Sequence, residues 1–382
     1  MRTRAFRPRD VRVVGTAIGL CTPHGFDAAA LADALAAPRA AGSSPTGVAR
    51  VDDAALESHL APLVPAADQR RMDRLTRFGT LAGLACVRAA GLRVDHTNGD
   101  RVGVVFTTAF GAVASTDEFM ASAAPRLRGA SPLLFPYTVQ NACTGMVTIL
   151  LGARGVNTTV SGINPVLYAC DMLRTGRAAA VLAGGYDELT RHIADAFGER
   201  GPVEGGGDAE PIGPVAEGAA AVMLETSDHA AARGATPLFE VLGTGSAVNL
   251  AAMGPATVEN MRHMDAESIA VAMRAALHDA GADATAIDLV VGLAREDNGQ
   301  IAAEDAALAD VFGRVFGHAS DVCRPKPALG DMLGASDVLA VAAALARQAG
   351  RARGTGARLV LVNGYQLGGH VSSVLLRFPG DR

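Results

Sequence analysis

The residue at the centre of this chain's possible chemistry is Asn164. It lies in the stretch NTTVSGINPVLYACDMLRTGRAAAVLAGGY, residues 157–186. The stretch reads as a short strand over 158–161, a tight turn (Gly162, Ile163, Asn164, Pro165), a helix from about 166 to 175 and a buried strand over 179–183. Strand, sharp turn and helix in that order make the layout of a nucleophile elbow. The turn residue projects from the strand end beneath the helix N-terminus, where unpaired N–H groups and the helix dipole favour a developing anion. A cysteine there would be an activated thiolate. Asn164 offers hydrogen bonds only, because an amide is no nucleophile near neutral pH.

No other residue takes that role by its position. Cys170 follows Asn164 inside the helix, where a buried packing thiol is expected, and Cys143 in NACTGM reads as a buried wall residue. Ser161 precedes the turn and points to the other side of the strand. His370 follows Gly368 and Gly369 without a nearby Cys or Ser and reads as structural. The five cysteines form no CxxC pair and the remaining histidines show no metal or triad spacing. No metal, disulfide framework or cofactor is expected.

The elements that must position Asn164 repeat. Residues 11–15 (VRVVG) are echoed by 239–243 (FEVLG), Val104 and Val105 by Val290 and Val291, LAGGY at 182–186 by LVNGY at 361–365, and AAAVMLE at 219–225 by VSSVLLR at 371–377. Four echoes in one order predict two copies of a single α/β unit, over 1–234 and 235–382. Between the strands lie amphipathic helical segments at 67–90, 303–311 and 336–349, so layered α/β structure with largely buried sheets is expected.

With 382 residues, 49% of them apolar, burial does not limit the fold, and a formal net charge of −5 gives no sign of nucleic-acid binding. Arg2, Arg4, Arg7 and Arg9 cluster near the start without a following apolar run, which reads as a frayed terminus. No window has the apolar length of a membrane span, and a cytosolic, reduced chain is expected.

Several segments resemble, in order, those of β-ketoacyl synthases of the thiolase superfamily. Asn157, Val160 and the strand Leu182, Ala183, Gly184, Gly185 fit the family's elbow, with Asn164 at its nucleophilic Cys. ADQRRMDRLTRFG at 67–79 resembles the "R-R-M-D-R" helix, 135–157 the "F-x-P-x-x-x-x-N-x-x-x-G...LGLRGPN" segment, and 202–225 the segment ending "G-E-G-A-A-x-L-V-L-E". The loop carrying one catalytic His matches LAREDNGQIAAE, with Leu293 at the His and Glu304 kept. The loop carrying the second matches KPALGDMLGASD, with Lys326, Gly330, Gly334 and Ala335 kept and Asp331 at the His.

The resemblance implies a thiolase-like fold of two pseudo-duplicated halves in five α-β-α-β-α layers. It also implies that Asn164, Leu293 and Asp331 replace the Cys-His-His triad. Leu293 can donate no hydrogen bond, and Asp331 would repel an enolate where a donor is needed; Lys326 beside it is expected to form an ion pair. In the family's "N-S-F-G-F-G-G" loop this chain has Asn363, Gly364, Tyr365, Gln366, Leu367, Gly368, Gly369, which puts Gln366 at the flexible glycine and Leu367 at the gate. The residues 117–129 pack across a two-fold interface in that family, so Phe119, Met120 and Met146 are candidates to cap an acyl tunnel.

An emptied ketosynthase that keeps its scaffold resembles the chain-length-factor subunits of type II polyketide synthases, which carry Gln rather than Asn at the Cys position. The implied partners are an active ketosynthase, in a heterodimer, and an acyl carrier protein, with polyketide, aryl polyene or fatty-acid-like products. Two alternatives stand beside that expectation. One is a thiolase-fold malonyl-carrier-protein decarboxylase or acyltransferase using Asn164 as an oxyanion donor; the other is a non-catalytic scaffold.

Overall fold

The computed structural model describes residues 11–37, 48–124, 129–197, 214–250, 263–292, 294–295, 299–313, 322–349 and 358–379. The N-terminal arginine cluster, Leu293 and the first part (202–213) of the segment 202–225 lie outside these residues.

Ten core strands run in chain order: β1 (Val13–Cys21), β2 (Val102–Thr107), β3 (Asn157–Val160), β4 (Ala180–Asp187), β5 (Gly218–Thr226), β6 (Phe239–Val248), β7 (Leu289–Val291), β8 (Val322–Cys323), β9 (Arg358–Gln366) and β10 (His370–Phe378). They join edge to edge in the order β8-β7-β9-β10-β6-β1-β5-β4-β2-β3. From the centre outwards, one half reads β1-β5-β4-β2-β3 and the other β6-β10-β9-β7-β8, which is the same order shifted by five strands. In each half the two outermost pairings are parallel and the inner two antiparallel. The halves meet through three residue pairs between β1 and β6, Val13 to Val241, Val14 to Glu240 and Gly15 to Phe239. All four sequence echoes fall on strands that occupy the same place in the two halves.

The longer helices of the frame include α1 (Arg74–Ala90), α2 (Val113–Ala123), α3 (Ala142–Leu151), α4 (Pro165–Arg174), α5 (Ala266–Ala280), α6 (Gln300–Phe312) and α7 (Ser336–Ala349). The helix expected over 67–90 is two helices, because Asp73 interrupts it: its carboxylate accepts from the Thr76 amide at 2.8 Å and caps α1.

Successive residues of a strand go to different cores. In β4, Val181 and Ala183 join one buried cluster with α4 and α7, while Ala180 and Leu182 join a second with α1 and α3. In β9, Val360 and Val362 face α7, and Leu361 joins a third cluster with α5 and α6. The sheet is therefore covered on both faces, which is why its strands are near-continuous apolar runs without polar alternation. Outer helices, a half-sheet, the central pair α4 and α7, the other half-sheet and outer helices again make five layers. Among the described residues no helix is long and apolar enough to cross a membrane.

Candidate functional site

The elbow forms within a residue of its expected bounds, as β3, a turn and α4, and the following strand β4 runs on to Asp187. Gly162 takes a φ of +69°, the left-handed conformation that lets the chain leave the strand end sharply. Asn164 then occupies the N-cap of α4, and Pro165 fills the first helical position, where a missing N–H costs nothing. The Asn164 side chain is buried, and its two ends are engaged differently. Oδ1 accepts from the Val166 amide at 2.9 Å, and Nδ2 donates to Ser372 Oγ, also at 2.9 Å. The amide group that an elbow leaves free for an anion is thus covered by the residue at the elbow itself.

Ser372 is the cross-strand partner of Gly364. A Cβ on Gly364 would lie 2.4 Å from Asp337 Oδ1 and 2.6 Å from Ser372 Oγ, so glycine is what lets these two side chains approach one strand. Asp337, in the first turn of α7, accepts from Gln366 Nε2 at 2.8 Å. Burial pushes its carboxyl up to about 6 against the pull of Gln366 and Lys326. Gln366 is buried, and its bond to Asp337 ties the end of β9 to α7.

Asp331 lies at the centre of the second loop. Its Oδ2 is 3.2 Å from Lys326 Nζ and 3.2 Å from an Arg295 guanidinium nitrogen, while Oδ1 accepts from Ser336 Oγ at 2.7 Å and the Leu333 amide at 3.1 Å. Burial favours the neutral acid, yet the two cations and two donors outweigh it and hold the carboxyl well below the usual carboxylate range. The expected pair with Lys326 is present. Arg295 escaped the sequence reading, since a cation 36 positions from Asp331 has no local signal. What could have pointed to it is the need of a buried carboxylate for more counter-charge than one lysine.

Arg295, Lys326, Asp331, Leu333, Tyr365 and Leu367 enclose a cavity of about 10 Å³. That is about the room of one water molecule. Leu367 packs with Leu189, Phe197 and Leu333 over it. Asp187, at the end of β4, clamps the surrounding loops by accepting from the Thr108 hydroxyl and the amides of Ala109, Phe110 and Gly334 at 2.7 to 3.1 Å.

The remaining candidates lie apart from this cluster. Phe119, on α2, is half-buried with its ring 5.6 Å from that of Phe135; Met120 is 60% exposed; Met146, on α3, packs against the outer-helix core. Leu133, Phe135 and Val139, between α2 and α3, and Ile149, on α3, are exposed, and α3 packs against the edge strand β3. Cys143 and Cys170 are buried, and burial pushes the Cys143 thiol well up and the Cys170 thiol to about 12, so both stay protonated packing groups. His370 is half-buried and held below the usual imidazole range by that burial.

Comparison with known proteins agrees with this architecture. A family profile described as "Beta-ketoacyl synthase, N-terminal domain" matches residues 14–230, and the chain belongs to that family. It is 27% identical to 3-oxoacyl-[acyl-carrier-protein] synthase 2 of Vibrio cholerae over 361 residues, covering 85% of this chain and 83% of that one. The corresponding enzyme of Staphylococcus aureus strain MRSA252 is 26% identical over 363 residues, with 86% and 83% covered. Among solved structures, the ishigamide ketosynthase/chain length factor superposes with a TM-score of 0.74 at 24% identity over 97% of this chain and all of that one. A β-ketoacyl synthase from Burkholderia phymatum superposes with a TM-score of 0.77 at 24% identity, over 96% and 99% of the two chains. The fold is therefore the thiolase-like fold of the ketosynthases.

Proposed function

We propose that this chain is a non-condensing ketosynthase-like subunit of the chain-length-factor type. It pairs with an active β-ketoacyl-carrier-protein synthase and shapes that partner's acyl tunnel during polyketide, polyene or fatty-acid-like elongation, with acyl carrier protein delivering the chain. The observation that carries this is the filled site. Asn164 spends its amide on α4 and Ser372, Asp331 is an anion locked between two cations, and the cavity beside Asp331 has about 10 Å³. Two structural neighbours lend support to the partners: one is a ketosynthase/chain length factor, and another a type II polyketide synthase acyl carrier protein in complex with its ketosynthase. The edge strand β3, with exposed Ile149 on the helix α3 packed against it, also supports a protein partner on this side.

The test is direct. Purified chain incubated with malonyl-carrier protein should release no acetyl-carrier protein above background, and co-expression with an active ketosynthase should give a 1:1 complex that does condense. Sustained release by the chain alone that disappears in Asn164→Ala would instead establish the decarboxylase or acyltransferase alternative. A monomer that engages no ketosynthase would leave the scaffold role.

A further inference from the structure

Away from the filled site, a groove of about 640 Å³ opens on the face formed by α1, the loop after β1 and the helix Asp53–Leu60. This is within the roughly 300 to 1,000 Å³ of small-molecule sites. Leu20 and Leu81 lie at its base, and Leu63 and Ala85 line it further. One wall is a flat pair of rings, Phe26 and His59, stacked 4.2 Å apart at 21°. The His59 ring is held by its Nδ1, which meets the Ala55 carbonyl at 2.8 Å, so the imidazole face is presented in a fixed orientation. Arg88, also in the lining, forms no ion pair or side-chain hydrogen bond with a described residue, unlike Arg74 on the same helix. Among the lining residues there is this guanidinium and one imidazole, but no carboxylate.

An apolar trough with a cation and no counter-charge is complementary to one class of ligand. We propose that this groove binds an amphipathic carboxylate, its aliphatic or aromatic tail against Leu63, Leu81 and the Phe26–His59 wall and its carboxylate on Arg88. Arg88 is exposed at the rim of the groove, so a cationic amphiphile is repelled by it and a neutral one gains no ion pair there. None of the residues around Asn164 or Asp331 takes part, so the site stands or falls independently of the proposed ketosynthase partnership.

Decanoate and decanol are the probes, titrated calorimetrically into the full chain and into Arg88→Glu and Ala85→Phe. The wild-type chain should bind decanoate about tenfold more tightly than decanol, and Arg88→Glu should lose about that factor for decanoate alone. Ala85→Phe, which fills the trough, should weaken both probes. Thermal melts within a few degrees of wild type would show that the variants remain folded. Equal affinity for the two probes, decanoate binding indifferent to both substitutions, or no binding at millimolar concentration would overturn the proposal.

Discussion

The side-chain amide of Asn164 donates to the hydroxyl of Ser372 at 2.9 Å, joining residues 208 positions apart, one from each half of the molecule. The same side chain caps α4 through Oδ1. Asn164→Ala removes both bonds and should cost about 1 to 3 kcal/mol, with Ser372→Ala nearer 1. Because the two share a bond, the double variant should cost less than the sum, by about 0.5 kcal/mol or more. Urea titration of the four proteins measures this; strict additivity would show the bond contributes nothing.

Asp331→Asn removes the anion that Lys326 and Arg295 share at 3.2 Å. Removing one partner of a buried ion pair costs about 3 to 5 kcal/mol, and the denaturation midpoint at neutral pH should fall accordingly. Adding Lys326→Met should recover part of the loss, since one orphaned charge goes with it.

Stability should peak in mildly acidic solution. Burial alone would raise Glu225, but its bonds from Arg233, His229 and Thr16 lower it to about 2, so the stability it supplies above the unfolded value of 4.5 is lost as pH falls through that range. Glu188 is opposite in sign: burial, with Asp73 and Glu217 nearby, raises it to about 7. The folded state then holds a proton that the unfolded chain releases, and stability declines as pH rises from about 4.5 to 7. Glu188→Gln should make that decline shallower, leaving the part between about 3.8 and 6 that the raised Asp337 contributes, and leave the acid limb unchanged. Melting curves from pH 4 to 8 decide it.

The echoes and the elbow were legible because they are local: Gly162, Asn164 and Pro165 specify a turn wherever they occur, and valine-rich strands buried on both faces look alike. Asp73 as a cap was also legible, since Thr76 follows at the right spacing, yet the apolar periodicity on either side of it suggested one continuous helix. Arg295 on Asp331, Gln366 on Asp337 and Asp187 on the loop at 108–110 were not. Each joins segments brought together only by the sheet order, and a charged or amide residue in a loop reads as solvated until its neighbours are known.

Ile149 stands 76% exposed on α3, beside the sheet edge. Ile149→Asp should abolish the 1:1 complex with the ketosynthase partner, seen by mass in solution, while the lone chain's melt moves by only a few degrees, as surface substitutions do. An intact complex would move the interface elsewhere.

The proposed role in shaping a partner's acyl tunnel can be tested at Phe119. Phe119→Ala removes the ring that packs on Phe135, and the space should be taken by acyl chain, shifting the complex's products towards longer chains without abolishing turnover. An unchanged product distribution from an intact complex would leave the subunit a purely structural partner.

The central cluster contains Val166 and Leu173 of α4, Val338 and Val341 of α7, and inward residues of both half-sheets, Val181 and Val222 on one side and Val360 and Val374 on the other. Each half therefore completes its interior with the other's helix. Cleavage near residue 234 would leave two fragments, each keeping its own central helix and losing the other half's helix that packs against it. The two halves thus share one interior, and a large-to-small change in α4 or α7 should loosen the packing of both.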